Sequence, residues 1–306
     1  MADGRQIDQK LEELRRVTGL SLEIADLSGE DGEDAEEKVA MLLSAWKDKY
    51  DRSGFIRGLL TGTADEKYIL AHAPGFHIPC DGRRRIYAIE CAGRKTGEAL
   101  KVLRAMFIRR TGDLVETVDS GHLVLIRPVG NTDSEEEARK LARTIVDMLG
   151  AEAMVSARVG YADPVDSLAA FAEGYREALR ALEIGALFNS MESVFPYREL
   201  GIGRLVYDLP EETCRVFLNE LSGSEEGLAF DEDGEALIEA FFENNLNIAE
   251  TARHLFLHRN TLVYRLEKLR ADTGLDLRNF EDAQKLNLAR MIGMRLKASR
   301  YPAGVC

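Results

Sequence analysis

Near the carboxyl-terminal end, one segment combines side chains that can hydrogen-bond to nucleic-acid bases. From Arg259 to Leu269, three leucines at helical spacing predict a buried stripe, and six polar residues lie on the opposite face. Arginine can bond guanine through two N–H groups, asparagine can bond adenine in the same way, and threonine and tyrosine can reach phosphates. The pattern therefore predicts a helix that contacts a DNA duplex. The leucines are Leu262, Leu266 and Leu269, and the polar residues are Arg259, Asn260, Thr261, Tyr264, Arg265 and Lys268.

The neighbouring elements predict how this face is held. A helix over Glu235–Glu243 ends in an asparagine-rich stretch, and Asn247 is placed to cap the next helix, with Glu250 completing a capping box. Leu257-His258 interrupts the apolar pattern of that next helix. A short helix, a tight connector and a second helix with a polar amino-terminal end are typical of a helix-turn-helix. The apolar side of the short helix is formed by Ile248, Ala252, Leu255 and Phe256, Gly274 is predicted to end the second helix, and Leu286, Ala289, Ile292 and Leu296 predict a covering helix.

The charge of this end of the chain differs from that of the rest. The whole sequence has a formal charge of −13, but residues 245–300 contain 11 Lys and Arg against 6 Asp and Glu. The remainder contains 29 basic and 47 acidic residues. The basic end can attract phosphates that the acidic body repels. A helical hairpin with a solvated basic face would give the same local charge, so the charge alone does not decide between the two.

The segment Asn247–Leu266, which contains His-Arg-Asn-Thr-Leu-Val-Tyr-Arg-Leu, resembles the carboxyl-terminal helix-turn-helix of PucR/CdaR-type regulators, and Thr273–Ala283 resembles the ending of that family. The family includes sugar-diacid and purine-catabolism regulators. The resemblance implies a sequence-specific transcriptional regulator that responds to a small molecule. The resemblance implies DNA contacts at Arg259, Asn260, Thr261, Tyr264 and Arg265, and we predict further contacts at His258 and Lys268.

Upstream, the predicted elements alternate as strand, helix, strand, strand, helix and strand, the order of a ferredoxin-like or cyclase-like α/β sandwich. Residues 85–197 resemble the cyclase-like, GGDEF-related domain of the same family. Catalytic cyclases place a glycine pair and metal-binding carboxylates on a hairpin, where this chain has Asp119-Ser120-Gly121-His122-Leu123. We therefore expect a degenerate domain for scaffolding, dimerisation or sensing. The strands are predicted at Ile86–Cys91, Leu114–Val118, Leu123–Ile126 and Met154–Val159, and the first helix at Gly97–Arg110.

Three further groups of residues have the composition of possible sites but are interpreted as structural. Gly93–Gly97 follows a strand but lacks the spacing of a phosphate-binding loop. A metal site is disfavoured for Glu250, His254 and His258 because His258 falls in a turn. The third group, Asp163, Asp166 and Glu173, is expected to consist of solvated charges near a helix start.

These observations predict an α+β multidomain chain, in which a degenerate nucleotide-cyclase-like sandwich precedes an all-α helix-turn-helix domain. The predicted divisions are a helical region 1–80 with helices Gln6–Arg16 and Ala35–Tyr50, the cyclase-like domain 81–221, a linker 222–233 and the DNA-binding domain 234–306. Scattered cysteines, the lack of an export signal and the lack of a long apolar run favour the cytoplasm.

The leading hypothesis is a regulator that binds double-stranded DNA as a homodimer or larger assembly, with a possible small-molecule effector. It assigns no catalytic residue, metal or cofactor and no membrane partner. Two alternatives stay open at this stage. One is a nucleotide-binding or nucleotide-cyclase-like enzyme built on the middle domain, and the other is a non-specific nucleoid or scaffolding protein.

Overall fold

The computed structural model describes residues 12, 39, 41, 51–107, 112–130, 133–223, 228 and 230–300. The predicted helices Gln6–Arg16 and Ala35–Tyr50 lie outside the described residues, apart from three helical positions. The chain packs as two compact units that divide between Leu182 and Glu183. No helix in the described part of the chain is both long and apolar enough to cross a membrane.

The first unit contains the mixed α/β domain. Its elements are α1 (Arg52–Thr61), α2 (Glu66–His72), β1 (Asp81–Cys91), α3 (Thr96–Phe107), β2 (Leu114–Thr117), β3 (His122–Pro128), α4 (Glu135–Ala153), β4 (Ala157–Tyr161), β5 (Val165–Ser167) and the start of α5 (Phe171–Phe188).

The sheet of this unit has the strand order β2-β3-β1-β4, and β5 pairs with β1. All of these pairs are antiparallel, with Ala88 of β1 opposite both Val124 of β3 and Gly160 of β4. This arrangement is the one produced by two interlocked strand-helix-strand units, so the predicted ferredoxin-like sandwich is confirmed. The strand predicted to begin at Met154 begins later, because Met154 ends α4 in a left-handed conformation (φ 51°).

Both faces of the sheet are covered, which explains why β1 is a continuous apolar run from Ile86 to Ile89. On one face, Tyr87 packs against Tyr161, whose hydroxyl donates to Glu135 of α4. On the other face α5 lies so close that a Cβ at Gly160 would be 2.3 Å from the carbonyl oxygen of Ala178. A glycine at this position permits the close approach of helix and strand.

The second unit is almost entirely helical. After the end of α5 and strand β6 (Val194–Pro196), it contains α6 (Ile202–Asp208), α7 (Glu211–Ser222), α8 (Glu232–Glu243), α9 (Ile248–His254), α10 (Arg259–Thr273) and α11 (Phe280–Arg300). The mixed α/β region followed by an all-helical region confirms the predicted fold class.

One apolar core joins the helices of the second unit. Val206 of α6 and Cys214 of α7 are buried in the same cluster as Phe241 of α8 and Leu286 of α11. The sequence placed α6 and α7 in the middle domain and a linker at 222–233, whereas Asp231 already caps α8. The domain boundaries at 80, 221 and 233 therefore stay a prediction. The packing of the chain divides it at a different place, between Leu182 and Glu183.

Candidate nucleic-acid interface

The short helix α9 begins where the sequence predicts. The side-chain oxygen of Asn247 accepts hydrogen bonds from the backbone N–H groups of Ala249 (2.9 Å) and Glu250 (3.3 Å), so Asn247 is the N-cap. The predicted capping box does not form. The Glu250 carboxylate instead bonds Arg253 at 2.6 Å, and the N–H of Asn247 donates to the carbonyl oxygen of Asn244.

The turn after α9 closes by two backbone hydrogen bonds. The N–H of Leu257 donates to the carbonyl of Ala252 at 2.8 Å, and the N–H of Phe256 donates to that of Arg253 at 3.1 Å. This pair of bonds is a Schellman motif, which needs a left-handed residue at the position that Phe256 occupies with φ 54°. The prediction that Phe256 lies on the apolar side of α9 is wrong, because the turn leaves its side chain 97% exposed.

Helix α10 is fixed by its apolar stripe. The Nδ1 atom of His258 accepts the N–H of Asn260 at 3.2 Å, which makes His258 the N-cap. The predicted buried leucines are confirmed, since Leu262 and Leu266 are fully buried and Leu269 is 8% exposed. These leucines pack in the core cluster of the second unit, so the opposite face of α10 points away from that core.

The structure brings the seven predicted contact residues together on α10 and its cap. Six of them are exposed, and Tyr264 is 69% exposed. Arg265 is the exception, because its side chain is 35% exposed and its Nη1 lies 3.6 Å from Oδ1 of Asp233 on α8. The six exposed residues are His258, Arg259, Asn260, Thr261, Tyr264 and Lys268.

The charges around α10 leave positive potential at its amino-terminal end. Arg253 is paired with Glu250, and Arg270 lies at 4.0 Å from Glu267. Within the described ranges, neither Arg259 nor Lys268 lies within ion-pair distance of a carboxylate. The helix dipole adds partial positive charge at the same end. This end of α10 is therefore suited to receive phosphate or the electronegative edge of a base.

The loop that follows α10 is clamped by charged groups that sequence reasoning missed. After Gly274 ends the helix in a left-handed conformation (φ 73°), both oxygens of Asp276 accept from the Arg278 guanidinium at 2.8 Å. The Arg278 bonds hold the pKa of the Asp276 carboxyl at about 2. Arg278 also lies 2.7 Å from Glu267, and this contact ties the loop back to α10. In the sequence, the Asp-x-Arg spacing of Asp276 and Arg278 is the feature that could have predicted this ion pair.

The middle-domain hairpin uses its single carboxylate for local structure. Asp119 Oδ1 accepts the N–H groups of Gly121 at 2.7 Å and His122 at 2.9 Å. Burial raises the pKa of Asp119, but the bonds from Gly121 and His122 outweigh that effect and lower the pKa below its usual value. Asp119 therefore acts as the cap of a tight turn.

The other three groups of polar residues do not come together as sites. Glu250 pairs with Arg253, His254 bonds Asn244, and His258 caps α10. No set of three His, Cys, Asp or Glu residues in the described ranges is arranged to hold a metal ion. Gly93-Arg94 forms a left-handed turn before α3, Asp166 pairs with Arg83, and Glu173 pairs with Arg176.

Two short-linked helices, the second with a polar exposed face, define this part of the chain as a helix-turn-helix. The PucR C-terminal helix-turn-helix domain matches residues 236–292, and the GGDEF-like domain matches residues 61–184. The chain therefore combines a region that matches a GGDEF-like domain with a PucR-type C-terminal helix-turn-helix, as the sequence motifs predicted.

Named relatives agree with this assignment. The chain is 32% identical over 118 residues to the purine catabolism regulatory protein of Bacillus subtilis, covering 38% of this chain and 22% of that protein. It is 27% identical over 201 residues to the carbohydrate diacid regulator of Escherichia coli, covering 63% and 51%. It is 26% identical over 141 residues to the proline-responsive transcriptional activator PutR of Bacillus subtilis, covering 44% and 34%. The chain thus spans about half or less of the length of these relatives.

Proposed function

We propose that this chain is a transcriptional regulator that binds double-stranded DNA with the amino-terminal end of α10 in the major groove. The observation that carries the proposal is the exposed polar row on α10, held outward by three leucines on its buried side. Recognition helices of this kind enter the groove with their first residues. The relatives named as regulators of purine catabolism and of carbohydrate diacids support the same function.

Each of the predicted contact residues takes a role from its position on α10. Arg259 and Asn260, in the first turn, are proposed to read base edges, since both side chains can make paired hydrogen bonds to a purine. Thr261, Tyr264 and Lys268 are proposed to bind phosphates, which fixes the register of the helix on the duplex. Arg265 joins the interface when the duplex replaces Asp233 as its partner. His258 caps the helix and presents its second ring nitrogen.

A single helix-turn-helix contacts few base pairs, so we propose that the chain binds as a homodimer or larger assembly on two related half-sites. The target is a catabolic or metabolic operon, and the site of action is the cytoplasm, where such DNA lies. The names of the relatives support a small-molecule effector, because one of them is called proline-responsive. No catalytic role is assigned to the middle domain, whose hairpin carboxylate is engaged in its own turn.

The test measures binding of the full chain to DNA from upstream of its own gene by fluorescence anisotropy, at moderate salt and with bulk competitor DNA. Arg259→Ala is expected to raise the Kd by about fivefold or more, because a paired contact to a base contributes about 1–3 kcal/mol. Arg143→Ala serves as the control, since Arg143 is an exposed arginine on α4.

Circular dichroism and the Tm of each variant show that the fold is kept. The proposal is wrong if Arg259→Ala binds the upstream DNA as tightly as the unchanged chain does. Equal affinity of the unchanged chain for upstream and bulk DNA would instead favour a non-specific nucleoid protein.

A further inference from the structure

A cavity of about 920 Å³ lies in the first unit, beside the start of β1. Its walls come from the first residue of α1, the segment 75–84 and the ends of β2 and β3. The volume is in the range of sites that bind small organic molecules, about 300–1,000 Å³. Apolar side chains contribute part of the lining, among them Phe76, Ile78, Leu114 and Val129. The cavity therefore has room and apolar surface for an organic ligand.

The charges that line the cavity are mostly positive. Arg52, Arg83 and Arg84 line it, and Asp81 is the single carboxylate among the described lining residues. Arg83 is partly neutralised by Asp166, an 82% exposed side chain at 3.4 Å. Arg52 is exposed, and within the described ranges no carboxylate lies within ion-pair distance of it. The lining thus favours a ligand with negative charge.

Arg84 is the unusual member of this group, because it is only 4% exposed. Its Nη2 donates to the carbonyl oxygen of Pro79 at 2.7 Å and its Nη1 to that of Gly82 at 3.2 Å. Its guanidinium carbon lies 5.9 Å from the ring centroid of Phe171. In the described part of the chain, no carboxylate comes within ion-pair distance of this group.

A buried arginine without a counter-charge is costly, since its guanidinium stays protonated. Burial lowers the pKa of Arg84, although Cys80 and Asp81 act in the opposite direction. Arginine has five N–H donors, and the carbonyls of Pro79 and Gly82 use only part of that capacity. The two carbonyl bonds also fix the planar guanidinium in one orientation, which suits it to a carboxylate or phosphate.

We propose that this cavity binds a small organic anion, whose carboxylate or phosphate is held by Arg84 and Arg52 and whose body lies on Phe76 and Ile78. The anion supplies the counter-charge that Arg84 lacks. The site lies in the first unit, and apart from Arg52 its lining residues fall within the range that the GGDEF-like domain matches, so it gives that domain a ligand-binding role in place of catalysis. The inference does not depend on the proposed DNA binding, and its test contains no DNA.

The test uses ligand-observed nuclear magnetic resonance and calorimetry on the full chain, with benzoate and phenyl phosphate as anionic probes and benzyl alcohol as the uncharged match. At least one anion is expected to bind saturably, at one site per chain and about tenfold or more tightly than benzyl alcohol. Arg84→Gln and Arg52→Gln are each expected to weaken that binding by about tenfold or more, as expected for loss of a charged hydrogen bond. The preferred probe identifies the anionic group.

Arg143→Gln, which changes an exposed arginine outside the cavity, is expected to leave the Kd within about twofold. Arg52→Gln keeps the test decisive if Arg84→Gln disturbs folding, because Arg52 is exposed at the start of α1. The proposal is overturned if neither anion binds better than benzyl alcohol. It is also overturned if Arg52→Gln binds as the unchanged chain does, or if Arg143→Gln loses binding equally.

Discussion

Single charged side chains set the electrostatics of the exposed polar face of α10. Arg265 is drawn toward Asp233 of α8, while Arg259 and Lys268 stay unpaired within the described ranges. Asp233 is 79% exposed and adds negative charge beside a surface that is proposed to receive phosphates. A duplex that engages Arg265 must displace this carboxylate, so the ion pair opposes DNA binding.

Asp233→Asn is therefore expected to tighten DNA binding by about two- to fivefold at low salt, in line with about 0.2–1 kcal/mol for an exposed ion pair. The gain should shrink as salt screens the carboxylate. Anisotropy titrations at two salt concentrations measure the effect. Glu232→Gln, a neighbouring change in the first turn of the same helix, is the control for general loss of acidity. Unchanged or weaker binding by Asp233→Asn would contradict this role for Asp233.

At the scale of elements, the turn between α9 and α10 stores backbone strain. Its Schellman motif requires a left-handed residue, a conformation that glycine adopts freely and phenylalanine does not. Phe256 occupies the position at φ 54° although its ring is almost fully exposed and contributes little packing. Folding alone would favour glycine here, as it does at Gly274 after α10.

Phe256→Gly is expected to raise the free energy of unfolding by up to about 1 kcal/mol, because it relieves the left-handed strain. Phe256→Ala is the matched control, since it removes the ring but keeps a Cβ at the strained position. Thermal and urea unfolding of the two variants compare these effects. If the glycine variant is less stable than the alanine variant, backbone strain at position 256 does not lower the stability of the fold.

For the whole molecule, charge is divided along the chain. Residues 245–300 carry an excess of 5 positive charges within a chain of net charge −13. DNA binding should therefore weaken as salt is added, because phosphate contacts release counterions. Repulsion between the acidic remainder and the duplex acts against this trend, because added salt screens it.

Lys268→Ala is expected to weaken binding to all DNA sequences about equally and to reduce the slope of log K against log salt by about 1. Arg259→Ala is expected instead to lower the preference for the upstream DNA. Titrations at four or five salt concentrations, with upstream and bulk DNA, distinguish these effects. A salt slope that Lys268→Ala leaves unchanged would place Lys268 outside the phosphate contacts.

The sequence by itself determined the helix-turn-helix, the buried leucines of α10 and the order of elements in the sandwich. These features depend on local spacing: helical periodicity, the Asn247 cap and alternating strands and helices are short-range signals. The motif from His258 to Leu266 placed the candidate contacts on one helix face, where the structure also has them.

Only the tertiary structure decided which side chains meet across long distances in the chain. The pairing of Arg265 with Asp233 and the arginine-lined cavity depend on contacts between segments far apart in sequence. The exposure of Phe256 depends on a turn whose backbone hydrogen bonds outweigh the conformational preference of phenylalanine. Packing also places α6 and α7 in the helical unit, because the apolar faces of these helices are buried against α11. Which distant segments pack together depends on the total apolar surface that they bury, and the local spacing of residues does not determine this.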